Sequence, residues 1–303
     1  MEIIRSVKEM QQKVAAIRQQ KRQIGFIPTM GFFHEGHTSL MTEAKKENDV
    51  IATSIFVNPL QFGPNEDYEQ YPRNEEQDII DAEQSGVDIV FIPDVKDMYP
   101  DQPMIKMDIT DRVHVLCGRS RPGHFEGVLT VLTKLFHIVQ PDKVYFGLKD
   151  AQQVAVVSAL ILDLNFPIEL VGLPTIREQD GLAKSSRNVY LSKAERKEAS
   201  WLYKALTYGQ QLVVDGESNP DIIVKEVIES ITKETTSSVE YVEILSYPEL
   251  KPVNVIKQQV ILAVAVQFKQ ARLIDNLLFN KNGQVVEAFK IGGFQHVPNN
   301  DES

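Results

Sequence analysis

Two histidines three residues apart, His34 and His37, stand in the run Pro28-Thr29-Met30-Gly31-Phe32-Phe33-His34-Glu35-Gly36-His37. On a helical turn that spacing puts both rings on one face. If the turn opens a helix, ring N–H groups join the free backbone N–H groups there and create an anion site. Gly31 and Gly36 let the chain turn sharply and approach a ligand. The same residues also read as two surface histidines in a loop, or as an H-x-x-H metal fragment completed by Glu35. A second run, Lys184-Ser185-Ser186-Arg187-Asn188, gathers a cation, two hydroxyls and a guanidinium. That set suits a polyphosphate, which Arg grips with two parallel hydrogen bonds; its bland reading is a solvated linker.

Three further runs carry candidate contacts. In Phe146-Gly147-Leu148-Lys149-Asp150-Ala151-Gln152-Gln153, Gly147 admits a close ligand, Lys149 can meet a phosphate, and Asp150 either caps a helix or accepts from a ribose hydroxyl. Gln61, in Phe56-Val57-Asn58-Pro59-Leu60-Gln61-Phe62-Gly63, offers a neutral donor and acceptor pair suited to a hydroxy acid; an ordinary Asn-Pro turn is the alternative. Arg121-Pro122-Gly123-His124-Phe125-Glu126-Gly127-Val128 reads as a rigid helix start whose histidine is either functional or incidental.

These runs need elements to hold them. Val7, Met10, Val14 and Ile17 recur at helical spacing. The pattern then predicts strands at 23–28, 50–57, 87–92, 143–146 and 168–173, alternating with helices at 38–47, 74–84, 125–139 and 151–164. Most of these strands are continuous apolar runs, as in a sheet covered on both faces. The alternation predicts an α/β fold: a Rossmann-like, doubly wound parallel sheet. Ligands in such sheets lie beyond the carboxyl ends of the strands, where the runs above fall. Past 177–188 the pattern changes to helices at 193–214 and 220–235 and strands at 238–245, 259–267 and 271–278. The expected division is a domain at 1–178 and a smaller α+β domain at 179–303, with a hinge at 177–188 and a flexible tail at about 292–303.

Composition narrows the function. The 303 residues carry a formal charge of -10, which disfavours nonspecific nucleic-acid binding but not a small phosphate ligand. Cys117 is the one cysteine, so neither an internal disulfide nor a thiolate cluster can form. The N-terminus lacks an apolar signal core, and the longest apolar runs are too short to span a bilayer. A cytoplasmic protein without membrane partners is the expectation.

The runs PTMG-x-x-H-x-G-H, FVNP-x-QF, RPGHF-x-GV, FG-x-KDAQQ and DGLA-x-SSRN together resemble the pantothenate synthetase (pantoate–β-alanine ligase) family, in order and separation. The first is similar to the HIGH motif of nucleotidylyl-transfer enzymes, and Lys184–Asn188 to their KMSKS-type loop. The resemblance implies ATP-dependent joining of pantoate to β-alanine with Mg²⁺, through a pantoyl-adenylate, by a homodimer. It implies that ATP is held by Met30, Gly31, His34, Gly36, His37, Gly147, Lys149, Asp150, Ile176, Lys184, Ser185, Ser186 and Arg187. Ile176 would meet adenine through its backbone. Gln61 and Gln153 would clamp pantoate, and His37, His34, Lys149 and Arg187 would be catalytic, the histidines counted among the cations around pyrophosphate. No protein metal ligand is implied; Mg²⁺ would ride on the ATP phosphates. Two residues depart from the family pattern: Leu148 replaces a usual Glu, and Lys184 replaces Leu or Met, either adding a phosphate contact or pointing to solvent. The competing readings are a nucleotidyltransferase that keeps the nucleotide in its product, a relative of aminoacyl-tRNA synthetases, and a non-catalytic ATP sensor.

Overall fold

A computed structural model describes residues 1–64, 66 and 68–292. The tail expected to be flexible lies, from residue 293 on, outside them. The strands are β1 (Glu2–Ile4), β2 (Ile24–Thr29), β3 (Val50–Ile55), β4 (Ile89–Phe91), β5 (Lys143–Gly147), β6 (Glu169–Leu173), β7 (Ser238–Ser246), β8 (Val260–Gln267), β9 (Arg272–Phe279) and β10 (Phe289–Gly292). The helices are α1 (Val7–Gln19), α2 (Glu35–Glu47), α3 (Glu75–Gln84), α4 (Val95–Met98), α5 (Leu116–Ser120), α6 (His124–Val139), α7 (Ala151–Asp163), α8 (Lys193–Ala199), α9 (Trp201–Val214) and α10 (Pro220–Glu234).

The first sheet has the order β1-β4-β3-β2-β5-β6-β10. The chain moves outward from β2 through β3 to β4, then returns beside β2 with β5 and continues to β6. The switch point therefore lies between β2 and β5, and a ligand cleft is expected past Thr29 and Gly147. All pairings are parallel except β10 on β6, where Phe289 faces Gly172 and Gly292 faces Glu169. The expectation of a parallel sheet thus needs one correction: its last strand is antiparallel and comes from the C-terminal part of the chain. β1 and β10, of three and four residues, are too short to leave a periodicity of their own.

The apolar strand runs fill two cores because successive side chains point to opposite faces. Phe26, Val50, Phe91 and Phe146 enter one core with α1, α6 and α7. Ile27, Ile51, Val90 and Tyr145 enter the other, against Leu40, Met41 and Ala44 of α2 and Ala82 of α3. The second sheet, β7-β8-β9, is antiparallel. Its Val242, Ile244, Leu262 and Val264 pack on the helices that precede it. Tyr241, Leu245, Ile261 and Ala263 on its other face extend the first core. The helix expected over 193–214 is broken at Ser200 into α8 and α9.

Candidate active site

The carboxyl ends of β2, β5 and β6 face a cleft of about 240 Å³. It is lined by Met30, His34, Gly36, His37, Gln61, Gly147, Lys149, Asp150, Gln153, Ile176, Lys184, Ser185, Ser186 and Arg187. One cleft thus gathers every sequence-predicted site residue except Gly31. An adjoining cavity of about 560 Å³ shares Arg121, His124, Lys149, Asp150, Gln153, Ser185 and Arg187 with it and reaches Glu240 and Arg272 of the second sheet.

Gly31 serves the turn instead. Its φ is +81° and that of Phe32 is +53°, so two successive residues take the left-handed region, which is costly outside glycine. Asp78, buried in α3, holds this shape: Oδ2 accepts from Phe32 N–H at 2.8 Å and Oδ1 from Phe33 N–H at 2.6 Å. Burial pushes the Asp78 carboxyl up, against the lowering effect of those two hydrogen bonds.

The turn delivers the histidines to the start of α2 as its caps. Gly36 N–H donates to Nδ1 of His34 at 3.1 Å, and His34 N–H donates to Nδ1 of His37 at 3.3 Å. The rings lie 4.2 Å apart, tilted by 39°. A Cβ on Gly36 would come 2.7 Å from Cε1 of His34, so glycine leaves room for the ring. Since each Nδ1 accepts, each neutral ring carries its proton on Nε2 and has that N–H to offer the cleft. Burial, reinforced by Lys149, lowers His34 to about 4; burial, then the neighbouring His34, lowers His37 to about 3. With no anion in the cleft these rings are uncharged donors at neutral pH, because desolvation and nearby positive charge disfavour the imidazolium.

At the end of β5, Gly147 has no protein atom within 4 Å of where a Cβ would stand. Lys149 lies 3.8 Å from Asp150. Asp150 occupies the N-cap position of α7, makes no capping hydrogen bond, and lines the cleft. Leu148 turns its side chain into the core, within reach of Gly172, while its carbonyl accepts from Asn276 Nδ2 at 3.0 Å. An apolar residue there packs the floor rather than meeting a ligand.

The adjacent glutamines divide their work. Gln152 is buried; its Oε1 accepts from Cys117 N–H, and its Nε2 donates to the carbonyls of Arg112 and Val115, each at 2.9 Å. Gln153, one residue on, lines both cavities. Gln61 donates to Met30 Sδ at 3.0 Å and accepts from Asn58 Nδ2 at 3.3 Å. Its turn sits on α6 at Gly127, where a Cβ would meet the Leu60 carbonyl oxygen at 2.2 Å.

A chain of polar contacts not foreseen from the sequence supports Gln61. Glu66 pairs with Arg121, whose Nη1 lies 3.0 Å from Nε2 of His124, and Nδ1 of His124 lies 2.8 Å from the Gln61 carbonyl oxygen. Only a donor can face a carbonyl, so the proton of neutral His124 is on Nδ1 and Nε2 accepts from Arg121. Burial, then Arg121, lowers His124 to about 4. The Arg-Pro-Gly-His run was the available signal; Glu66 and Asp78 had none, being ordinary acidic residues far from their partners in sequence.

The loop opposite the histidines begins as a small hairpin. Arg177 bridges Ala183, Glu178 N–H donates to the Leu182 carbonyl, and Lys184 N–H donates to the Ile176 carbonyl at 2.9 Å. Arg177 grips Asp275 of β9 through contacts of 2.6 and 2.9 Å and lies 3.7 Å over the Tyr203 ring. Ser185 caps the following turn, Ser186 Oγ lies 3.5 Å from Tyr71 OH, and the Arg187 guanidinium stands 6.0 Å over the Tyr71 ring. Lys184 does not point to solvent. Its Nζ lies 2.8 Å from Glu35 and 3.2 Å from Glu178, and its side chain is 18% exposed.

The family model described as pantoate-beta-alanine ligase matches residues 2–278. The chain is 55% identical to the pantothenate synthetase of Geobacillus sp. (strain WCH70), over 89% of this chain and 96% of that protein. It is 54% identical to that of Bacillus subtilis (strain 168), over 91% of this chain and 98% of that one. The crystal structure of pantothenate synthetase from Thermus thermophilus superposes with a TM-score of 0.85 at 42% identity, covering 91% of this chain and 99% of that one. The Francisella tularensis pantoate-beta-alanine ligase, complexed with beta-gamma ATP and beta-alanine, superposes with a TM-score of 0.74 at 34% identity, covering 93% and 98%. With the family model matching residues 2–278 and a relative 55% identical over 89% of the chain, the chain belongs to the pantoate–β-alanine ligase family.

Proposed function

We propose that this chain condenses pantoate with β-alanine at the expense of ATP, releasing AMP and diphosphate and forming pantothenate on the route to coenzyme A. The observation that carries the reading is the convergence, in one cleft at the sheet's switch point, of a two-histidine helix start, a Lys-Asp turn, a Ser-Ser-Arg loop and two neutral glutamines.

The chemistry explains that selection. A carboxylate is a poor acyl donor, because its leaving group would be oxide. Attack of the pantoate carboxylate on the α-phosphorus of ATP makes a mixed anhydride, from which the amine expels AMP. Positioning and stabilisation of negative charge do most of this work. Lys149 and Arg187 supply charge to the departing diphosphate, and Ser185 and Ser186 supply hydroxyls. His34 and His37 add Nε2–H donors beside the N-terminus of α2, so the anion meets fixed dipoles there. Met30, Gly31 and Gly36 shape the wall along the nucleotide; Gly147 and Asp150 take the ribose side, and the Ile176 backbone takes adenine. Gln61 and Gln153 hold pantoate without charge, which leaves its carboxylate nucleophilic. Among the described residues no three His, Cys, Asp or Glu side chains are grouped to hold a metal. We assign Mg²⁺ to the ATP phosphates, its usual ligands in such sites. We read the chain as a first domain to about residue 178, to which β10 returns, and a second beyond it, joined at the 177–188 hairpin and loop. A cytoplasmic homodimer is part of the same reading, and light scattering checks the dimer.

Pantoate labelled with heavy oxygen in its carboxylate tests the proposal. One label is expected in AMP, and AMP release is expected to need pantoate, β-alanine, ATP and Mg²⁺ together. AMP formed without pantoate, or label absent from AMP, would overturn the adenylate route.

A further inference from the structure

Lys184 links three parts of the site. It is the last residue of the 176–184 hairpin and immediately precedes the Ser185–Arg187 hydroxyl and guanidinium set. Its ammonium contacts Glu35, in the first turn of α2 between the two capping histidines, at 2.8 Å, and Glu178 across the hairpin at 3.2 Å. The other foot of the hairpin is fixed elsewhere, by Arg177 on buried Asp275 of the second sheet. The hairpin thus has one anchor on β9 and one at the start of α2, and the loop beyond it also meets Tyr71 through Ser186 and Arg187.

The two anchors differ in strength. The Arg177–Asp275 pair is bidentate, and its side chains are 15% and 3% exposed. In the Lys184 pairs the carboxylates are 69% and 34% exposed, so water competes for them and each pair holds weakly. A weak tie at one end and a strong one at the other make a hinge with a catch. Lys184 also faces two carboxylates at the rim of an anion cleft. While they hold its charge, it is poorly placed to meet a phosphate as a point charge.

We propose that Lys184 is a positioning residue: by pairing with Glu35 and Glu178 it latches the Ser185–Asn188 loop onto the start of α2 and so preforms the nucleotide cleft. The inference rests on the reading of that loop as the phosphate loop. It adds that the latched conformer is the one that binds ATP. Unlatching then weakens ATP by no more than the fraction of binding-competent protein lost.

The test uses the full chain without nucleotide. Amide hydrogen exchange is followed in peptides covering 180–190, with peptides of β8 as the internal reference. Lys184→Met and Glu35→Gln are each expected to speed exchange of the loop by roughly two- to fivefold, the range of one exposed ion pair. The double variant is expected to match Lys184→Met, in which the Glu35 contact is already lost. Lys184→Arg, which retains the charge, is expected to restore protection. In steady state, KM for ATP is expected to rise by a factor no larger than the exchange factor in both single variants, with KM for pantoate little changed. Loop exchange that Lys184→Met leaves unchanged, additive effects in the double variant, or a rise in KM for ATP that Glu35→Gln does not reproduce would each overturn the latch. The last result would make Lys184 a direct phosphate contact. The exchange arm needs no substrate, so its failure leaves the ligase assignment standing, and failure of the AMP-labelling experiment leaves the latch standing.

Discussion

The two walls of the cleft are built on opposite principles. The turn from Thr29 to His37 is held by neutral hydrogen bonds and by one buried carboxylate, Asp78, on two backbone N–H groups. Its histidines spend Nδ1 on capping α2 and present Nε2–H in a fixed direction. The facing segment, from Arg177 to Asn188, is held largely by ion pairs and a short hairpin, and it carries the formal charges. A fixed wall of dipoles needs no reorganisation when charge develops. A wall of flexibly held cations can move in over a polyphosphate and move away for product release. The difference implies that damage to the cation side should appear in rate, and damage to the turn side in stability.

The largest expected effect lies with the cations. Arg187→Ala on that segment, and Lys149→Ala on the turn after β5, are each expected to slow the formation of diphosphate in a single turnover by roughly 10²–10³, the usual loss for one transition-state donor. Melting temperatures are expected to stay near that of the parent chain. Rates within a factor of a few of the parent, in folded variants, would break the comparison.

Acid should act on the turn side. His34 at about 4 and His37 at about 3 lie below the ordinary 6.5 of histidine, so on acidification the unfolded chain binds protons first. Their contribution to stability is therefore complete above about pH 6.5 and is lost as pH falls through 5 toward 4. His124, at about 4, acts in the same sense. Each histidine is expected to cost about 2 kcal/mol between pH 7.5 and 5, so denaturant melts are expected to lose up to roughly 6 kcal/mol, and a variant with His124→Asn to lose less. Stability that is flat over this window would mean that the rings are solvated and that the turn is looser than described.

How much of this was legible follows from where the information sits. Short, largely apolar runs such as β3 and β5 announce themselves, because burial on both faces leaves few polar positions. Motif residues were legible because each run packs its chemistry within ten residues, so spacing alone predicts a shared loop. What was missed is nonlocal. Asp78 supports a turn 45 residues upstream, Glu66 supports Arg121 55 residues downstream, and β10 pairs with β6 from beyond the whole second sheet. The charge state of the histidines was also hidden, since it depends on desolvation and on Lys149, not on residue type. Asp78 provides a sharp test of the missed class. Asp78→Ala leaves two N–H groups of a left-handed turn without their acceptor, at an expected cost of about 1–3 kcal/mol in a denaturant melt. If the loss is under a few tenths of a kcal/mol, the turn is held by something other than this carboxylate.

The smallest effect separates two residues that the sequence presents as a pair. Gln152 and Gln153 differ by one step along α7, yet one faces the scaffold and the other the cleft. Gln153→Ala removes a neutral clamp whose partner is proposed to be pantoate. The expected loss is about 1 kcal/mol of pantoate affinity, roughly fivefold, with little change in ATP affinity or in melting temperature. Gln61→Ala should behave alike toward pantoate, with a further loss of stability because its side chain is buried against Met30 and Asn58. Gln152→Ala should do the reverse. It strands the Cys117 N–H and two carbonyls in the interior, so the melt moves while pantoate affinity changes less than in Gln153→Ala. Titration calorimetry and a denaturant melt on the three variants read both axes. If Gln152→Ala and Gln153→Ala weaken pantoate equally, the division between scaffold and clamp fails, and α7 acts on the substrate as a unit. If neither moves pantoate, the neutral-clamp reading of this wall is wrong, and its carboxylate must be held from the cation side.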